Sequence, residues 1–144
     1  MKKIIVFSLV ASVLMLIGLI AQASAAEVVK HAYAGPAMSD GQAGIRAGVG
    51  MALNTDSEIV ADVTALSDGR RELVAEYRSF WSPLGFGIRP VWGLGGGLNM
   101  EGKAKLAGSI GLSMIVGEGM AVDAGVRGMM GEVGIGAVTF GKTF

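Results

Sequence analysis

Cysteine is absent from the 144 residues, so the chain has no disulfide framework, thiolate nucleophile or lipidated cysteine anchor. Proline occurs only three times and no Gly-X-Y period organises the 24 glycines, which excludes a collagen. An excess of one charge sign is missing too. The 12 basic and 12 acidic residues balance, and leave no positive field for nucleic acid. Beyond residue 25 no apolar run reaches the length of about 18 residues that marks a membrane helix. Yet 51% of the residues are hydrophobic, which is far from the composition of a disordered chain. The apolar residues must therefore be spread over elements that bury them one face at a time.

Residues 1–25 read as a cleaved export signal. Lys2 and Lys3 form a positive start, Ile4 to Ile20 is apolar apart from Ser8, Ser12 and Gly18, and Ala23-Ser24-Ala25 is a small-x-small cleavage site. The apolar stretch falls short of the ~20 residues of a spanning helix. Residues 26–144 are then one domain, since a chain of this length supports a single core.

Within that domain hydrophobicity alternates with period two. Ile45, Val49, Met51 and Leu53 take one parity and Arg46, Gly48 and Gly50 the other. The same pattern runs through Glu58–Leu66, Glu72–Trp81, Leu84–Leu98, Lys103–Val116 and Met120–Arg127. All eleven charged residues of these six segments fall on the less apolar parity: Arg46, Glu58, Asp62, Glu72, Glu76, Arg78, Arg89, Lys103, Lys105, Asp123 and Arg127. Two weaker segments, Glu27–Ala34 and Glu132–Phe144, bring the count to eight strands. Turn signals separate them at Gly35-Pro36, Asn54-Thr55-Asp56, Ser67-Asp68-Gly69, Ser82-Pro83, Asn99–Gly102, Gly117-Glu118-Gly119 and Met129–Gly131. An even number of strands with short connections predicts a closed, antiparallel up-and-down β-barrel. Two irregularities follow from the residues. Pro90 calls for a bulge or for a strand that begins at Val91. The change of apolar parity between Ile135 and Val138 calls for a bulge near Gly134 or Gly136.

Which face is outermost is decided by the partners of the charges. The charged parity also carries Gly48, Gly50, Ala52, Gly85, Gly87, Gly93, Ala107, Gly111 and Gly125, a poor surface for water but a good lining for a narrow lumen. The apolar face then meets lipid, in strands of about the 9–11 residues that cross a bilayer at a tilt. Trp81, Phe86, Phe140 and Phe144 fall near one rim, as an interfacial girdle does.

In its signal peptide, its period-two strands and its terminal Val138, Phe140 and Phe144, the chain resembles the small eight-stranded outer-membrane barrels of the OmpA and opacity type. The resemblance implies a transmembrane β-barrel in the cell outer membrane, in contact with outer-membrane lipid. Val138, Phe140 and Phe144 would be the signal read by the barrel-assembly machinery during insertion. Lys142 departs from that signal, since the family usually has an apolar residue there.

No catalytic, metal or cofactor site emerges. The lone His31, with Ser39 and Asp40 beyond the expected turn, has no triad spacing, and one histidine without cysteines is no metal-ligand set. Glu72 and Glu76 share a face, but salt bridges to Arg78, Arg89 or Arg46 account for them. The Gly93–Gly97 run lacks the Gly-Lys-Ser/Thr of a phosphate loop. Met51, Met114 and Met120 read as lipid-facing filler. The expectation is a non-enzymatic outer-membrane barrel with an ion-paired, plugged lumen, serving envelope structure or a surface interaction. The rival is a soluble periplasmic or secreted barrel that binds a small apolar ligand. A third reading is a glycine-zipper membrane helix using Gly108 and Gly111.

Overall fold

The computed structural model describes residues 30–144 and holds a single closed barrel. The proposed leader, its cleavage site and the start of the first segment lie outside the described residues. The eight strands are β1 (Lys30–Ser39), β2 (Gln42–Asn54), β3 (Ser57–Leu66), β4 (Arg71–Phe80), β5 (Ile88–Leu98), β6 (Ala104–Gly117), β7 (Met120–Met129) and β8 (Ile135–Thr143). Each pairs antiparallel with the next, and β8 closes on β1. No sheet edge is left, so every wall strand finds hydrogen-bond partners on both sides, as a bilayer demands. Both described chain ends and the β2–β3, β4–β5 and β6–β7 connections lie at one end, the terminal rim. The other three turns and the β1–β2 turn form the turn rim.

The parity assigned from the sequence holds along β2 to β7. Ile59, Leu73, Leu94, Leu106, Ile110, Leu112 and Val126 are exposed on the outside. Glu58, Asp62, Glu72, Glu76, Arg78 and Arg127 are buried inside. Only three charged side chains sit on the outward parity of the strands, Lys30, Arg71 and Lys142, each at or next to a strand end. Met51, Met114 and Met120 are exposed on the outside as expected, and Met38 on β1 joins them. An apolar exterior over a charged interior excludes the soluble ligand-binding arrangement, and an all-strand barrel excludes the glycine-zipper helix.

Several expectations are corrected. Gly35-Pro36 is no turn. β1 runs on to Ser39, and the reversal is made by Asp40-Gly41, whose φ angles of 50° and 72° are those of a two-residue type I′ turn. Pro36 faces outward, and its missing N–H interrupts the β1–β8 ladder at Gly35 and Pro36. The register is the same on either side, Ala34↔Phe140 and Ala37↔Ala137. Pro90 causes neither a bulge nor a later start, for β5 begins at Ile88 and passes through it. The Pro90 carbonyl accepts from the Trp81 N–H at 2.9 Å, and the Trp81 carbonyl, which a proline cannot reach with a donor, accepts from Arg89 Nε at 3.1 Å instead. Leu84, Gly85, Phe86 and Gly87 belong to a loop rather than a strand. No bulge lies near Gly134 or Gly136. β8 keeps continuous register with β7, and Ile135 points inward because that end of the lumen is apolar. Register shifts occur instead at Ala52/Asn54 and Ile115/Gly117.

Candidate functional site

The lumen is the one place where the fold concentrates polar chemistry. β3 and β7 lie diametrically opposite in the eight-strand ring, and Arg127 spans it, with Nη1 at 2.7 and 2.8 Å from the two carboxylate oxygens of Asp62. Both side chains are fully buried. Arg127 Nη2 donates to Thr64 Oγ1 at 3.0 Å and lies 3.8 Å from Glu72. Arg46 Nε donates to the same Thr64 hydroxyl at 3.2 Å, and the Tyr33 hydroxyl donates to Asp62 at 2.8 Å. Asp62 thus gathers donors from β1 and β7, with Arg46 of β2 3.8 Å away. Such sharing is what lets an ion survive out of water.

Nearer the terminal rim a second cluster forms. Arg78 lies 3.5 Å from Glu76 and 3.8 Å from Glu58, and its guanidinium sits 5.6 Å from the Tyr33 ring centroid. Ser109 Oγ donates to Glu76 at 3.0 Å. His31 Nε2 lies 3.3 Å from Glu58, and its ring stacks on Tyr33 over Gly50, where a Cβ would overlap the imidazole. At the turn rim the lumen closes with apolar side chains: Ala37, Leu66 and Ile135 form one cluster, and Val74, Ala107 and Met129 another.

Eight of the eleven charges expected in the lumen are brought there: Arg46, Glu58, Asp62, Glu72, Glu76, Arg78, Asp123 and Arg127. Three are not part of this network. Lys103 lies in the exposed β5–β6 turn with Glu101 at 2.8 Å, because the strand begins only at Ala104. Lys105 sits at the turn rim, 2.7 Å from Glu132. Arg89 clamps the terminal rim, 2.6 Å from Asp56. Glu72 and Glu76 face different arginines: Glu72 lies 3.8 Å from Arg127, which it shares with Asp62, and Glu76 lies 3.5 Å from Arg78, which it shares with Glu58. His31 and Ser39 lie at opposite ends of β1, and Ser39 donates to the Gly134 carbonyl at 2.8 Å. Val138 and Phe140 point outward on β8, and Phe144 is exposed at the terminal rim, its N–H donating to the Lys30 carbonyl at 2.7 Å.

Residues that charge parity could not reveal complete the network. Thr64 and Ser109 are uncharged, and their signal was only that they share an inward parity with Asp62 and Lys105; Tyr33 stands on β1, whose inward parity carries no Asp, Glu, Lys or Arg, and it joins the network only when the barrel closes. Arg46 Nη2, Glu76 Oε1, Asp123 Oδ1 and Arg127 Nε are buried without a protein partner. Arg46 and Asp123 line a cavity of about 30 Å³ with Arg78, Ser109 and Thr139, space for one or two waters. Among the described residues no group of three or more His, Asp or Glu could hold a metal.

This geometry has solved counterparts. A de novo designed transmembrane β-barrel superposes with a TM-score of 0.68 at 11% identity, over 81% of this chain and 95% of that one. The fold is that of a transmembrane β-barrel. The N-terminal β-barrel domain of Pseudomonas aeruginosa OprF gives 0.66 at 15% identity, over 81% and 97%. Neisserial surface protein A gives 0.52 at 20% identity, over 81% and 94%. No family model and no curated protein sequence matches the chain. The likeness is therefore one of backbone. Each barrel must solve the same closure problem, and sequences that share little do so with the same alternation.

Proposed function

We propose that this protein is a non-enzymatic barrel of a Gram-negative outer membrane, whose ion-paired lumen admits no solute and whose role is to build the envelope or to present a surface. The observation that carries the reading is the Asp62–Arg127 pair, which crosses the lumen at mid-wall and is backed by Thr64, Tyr33 and Arg46. Opening a channel would leave these ions unpaired, a large penalty for charges so buried. The apolar clusters at the turn rim support the same reading by stopping that end. Outer-membrane lipid is the partner that the exposed band of Leu, Ile and Val fits. Val138, Phe140 and Phe144 are the residues we assign to recognition by the barrel-assembly machinery. The turns at the turn rim are only two to five residues long, which limits what they can display and points to envelope structure over adhesion.

Fractionation and planar-bilayer recording test this together. The protein should sediment with outer membranes, migrate on gels in a heat-dependent way and give no steady ohmic current. A stable conductance would overturn the plugged lumen. Release with the periplasmic fluid would overturn the membrane assignment.

A further inference from the structure

The seven connections are not alike. Asp40, Asp56, Asp68, Glu101, Glu118 and Glu132 place an acid in every connection except one. That exception, residues 81–87 between β4 and β5, is the longest and carries no charge at all: Trp81, Ser82, Pro83, Leu84, Gly85, Phe86, Gly87. Trp81 is 62% exposed, Leu84 74% and Phe86 99%. A solvent loop would not be built this way, for a large ring with no neighbour gains nothing in water.

The loop is also preformed. Leu84 N–H donates to the Ile88 carbonyl at 2.8 Å and Ile88 N–H to the Gly85 carbonyl at 2.9 Å, closing a small hairpin. At its tip Phe86 holds φ = 51°, the left-handed region that a bulky side chain rarely enters, and its ring packs on nothing in the chain, being almost wholly exposed. Arg89 fixes the base. It donates to the Trp81 and Thr55 carbonyls at 3.1 and 3.2 Å, pairs with Asp56, and lies 5.1 Å from the Phe80 ring centroid. The remaining outward aromatics, Tyr77, Trp92, Phe140 and Phe144, all lie in the terminal half of the wall or at its rim, whereas the turn rim presents Met38, Met100 and Met130 and no aromatic.

We infer that the β4–β5 hairpin is a membrane anchor, its Trp81, Leu84 and Phe86 side chains inserted among phospholipid glycerol groups and upper acyl chains of the leaflet at the terminal rim. The inference rests on the membrane reading above. Its occupant is lipid because the loop is uncharged and continues the lipid-facing band of the wall, with a tryptophan where that band ends. The consequence is a barrel that is seated by one rim and held there against vertical drift.

The chain's two tryptophans separate the anchor from the wall. Trp92→Phe leaves Trp81 as the hairpin's reporter, and Trp81→Phe leaves Trp92 as the wall's. Both variants would be folded into phosphatidylcholine vesicles brominated either near the carbonyl or deep in the chain. The inference expects blue-shifted Trp81 emission, quenched several-fold more by shallow than by deep bromines, and lost to a water-like spectrum in Leu84→Glu/Phe86→Glu. Trp92 emission in the matching Trp81→Phe background should ignore those changes. Quenched Trp92 with water-exposed Trp81 would overturn the anchor, pointing to a protein partner or none, and leave the membrane barrel standing. If neither tryptophan is quenched, the membrane reading fails and the anchor with it. Should Trp92→Phe not close into a barrel, a bimane label on Phe86→Cys in the cysteine-free chain reports the same depth, with the same two outcomes.

Discussion

The inner and outer faces of the barrel wall are made from the same strands and obey opposite rules. On β7 the outward Ala124 and Val126 are exposed, while the very next residue, Arg127, is buried and held by Asp62, Thr64 and Glu72. Outside, a side chain is chosen for what surrounds the protein, and almost any apolar shape suffices. Inside, every side chain must fit a fixed volume, and each charged one must find a charge of opposite sign. The difference teaches that tolerance to substitution should alternate residue by residue along each strand.

The sharpest break of that contrast comes from the lumen. Arg127→Met should lower stability in urea unfolding from lipid vesicles by roughly 3–5 kcal/mol, because Asp62 is left buried without its main partner. Adding Asp62→Asn to it should recover much of the loss; full additivity of the two changes would show that they do not act as a pair. On the outer face, Ile110→Arg places a charge on the exposed band of β6 and should reduce insertion stability by about 2–4 kcal/mol. The reverse sensitivity, with Ile110→Arg tolerated, would mean that water bathes this face.

Glycines sharpen the comparison at smaller scale. A Cβ at the inward Gly125 would lie 2.8 Å from the Ile110 carbonyl oxygen and 3.1 Å from the Gly111 Cα, so Gly125→Ala should cost about 1–3 kcal/mol by the same unfolding assay. A Cβ at the outward Gly128 meets nothing within 4 Å, and Gly128→Ala should stabilise the strand by roughly 0.5–1 kcal/mol. Equal effects at the two positions would erase the distinction between the faces.

The smallest expected effect lies outside the wall. Hydrogen bonds from Lys105 and then Asn99 hold the Glu132 carboxyl below its ordinary value. A carboxyl depressed on folding adds stability above its unfolded pKa of about 4.3, and loses it as pH falls through the folded value. The wild type should therefore exceed Glu132→Gln slightly in unfolding midpoint at neutral pH, and the gap should close below about pH 4. A gap that widens on acidification would contradict the sign.

Much of this is legible in the amino-acid sequence. Period two revealed strands, and the glycines beside Arg46 and Asp123 revealed which parity was enclosed. What escaped detection has definite causes. Ile135 broke the alternation because the lumen is apolar at the turn rim, and a rule that equates inward with polar reads such a residue as a bulge. Pro36 looked like a turn because proline usually is one, whereas Asp40-Gly41 carried the stronger reversal signal four residues on. Lys103 shared the inward parity yet fell beyond the strand end, since parity locates a face but says nothing about where a strand stops. The cross-lumen pairing of Asp62 with Arg127 depends on which strands become opposite when the ring closes, a property of all eight together.

The central claim is that lipid touches the apolar parity and the charged parity is enclosed. The cysteine-free chain allows its most direct measurement: a nitroxide scanned through single cysteines from Leu106 to Met114 on β6, in vesicles, with oxygen and a water-soluble nickel complex as relaxing agents. The account predicts that oxygen contact rises at Leu106, Gly108, Ile110, Leu112 and Met114 and drops at each residue between, with nickel low at all of them. High nickel contact at Leu106, Ile110 and Leu112 would contradict it.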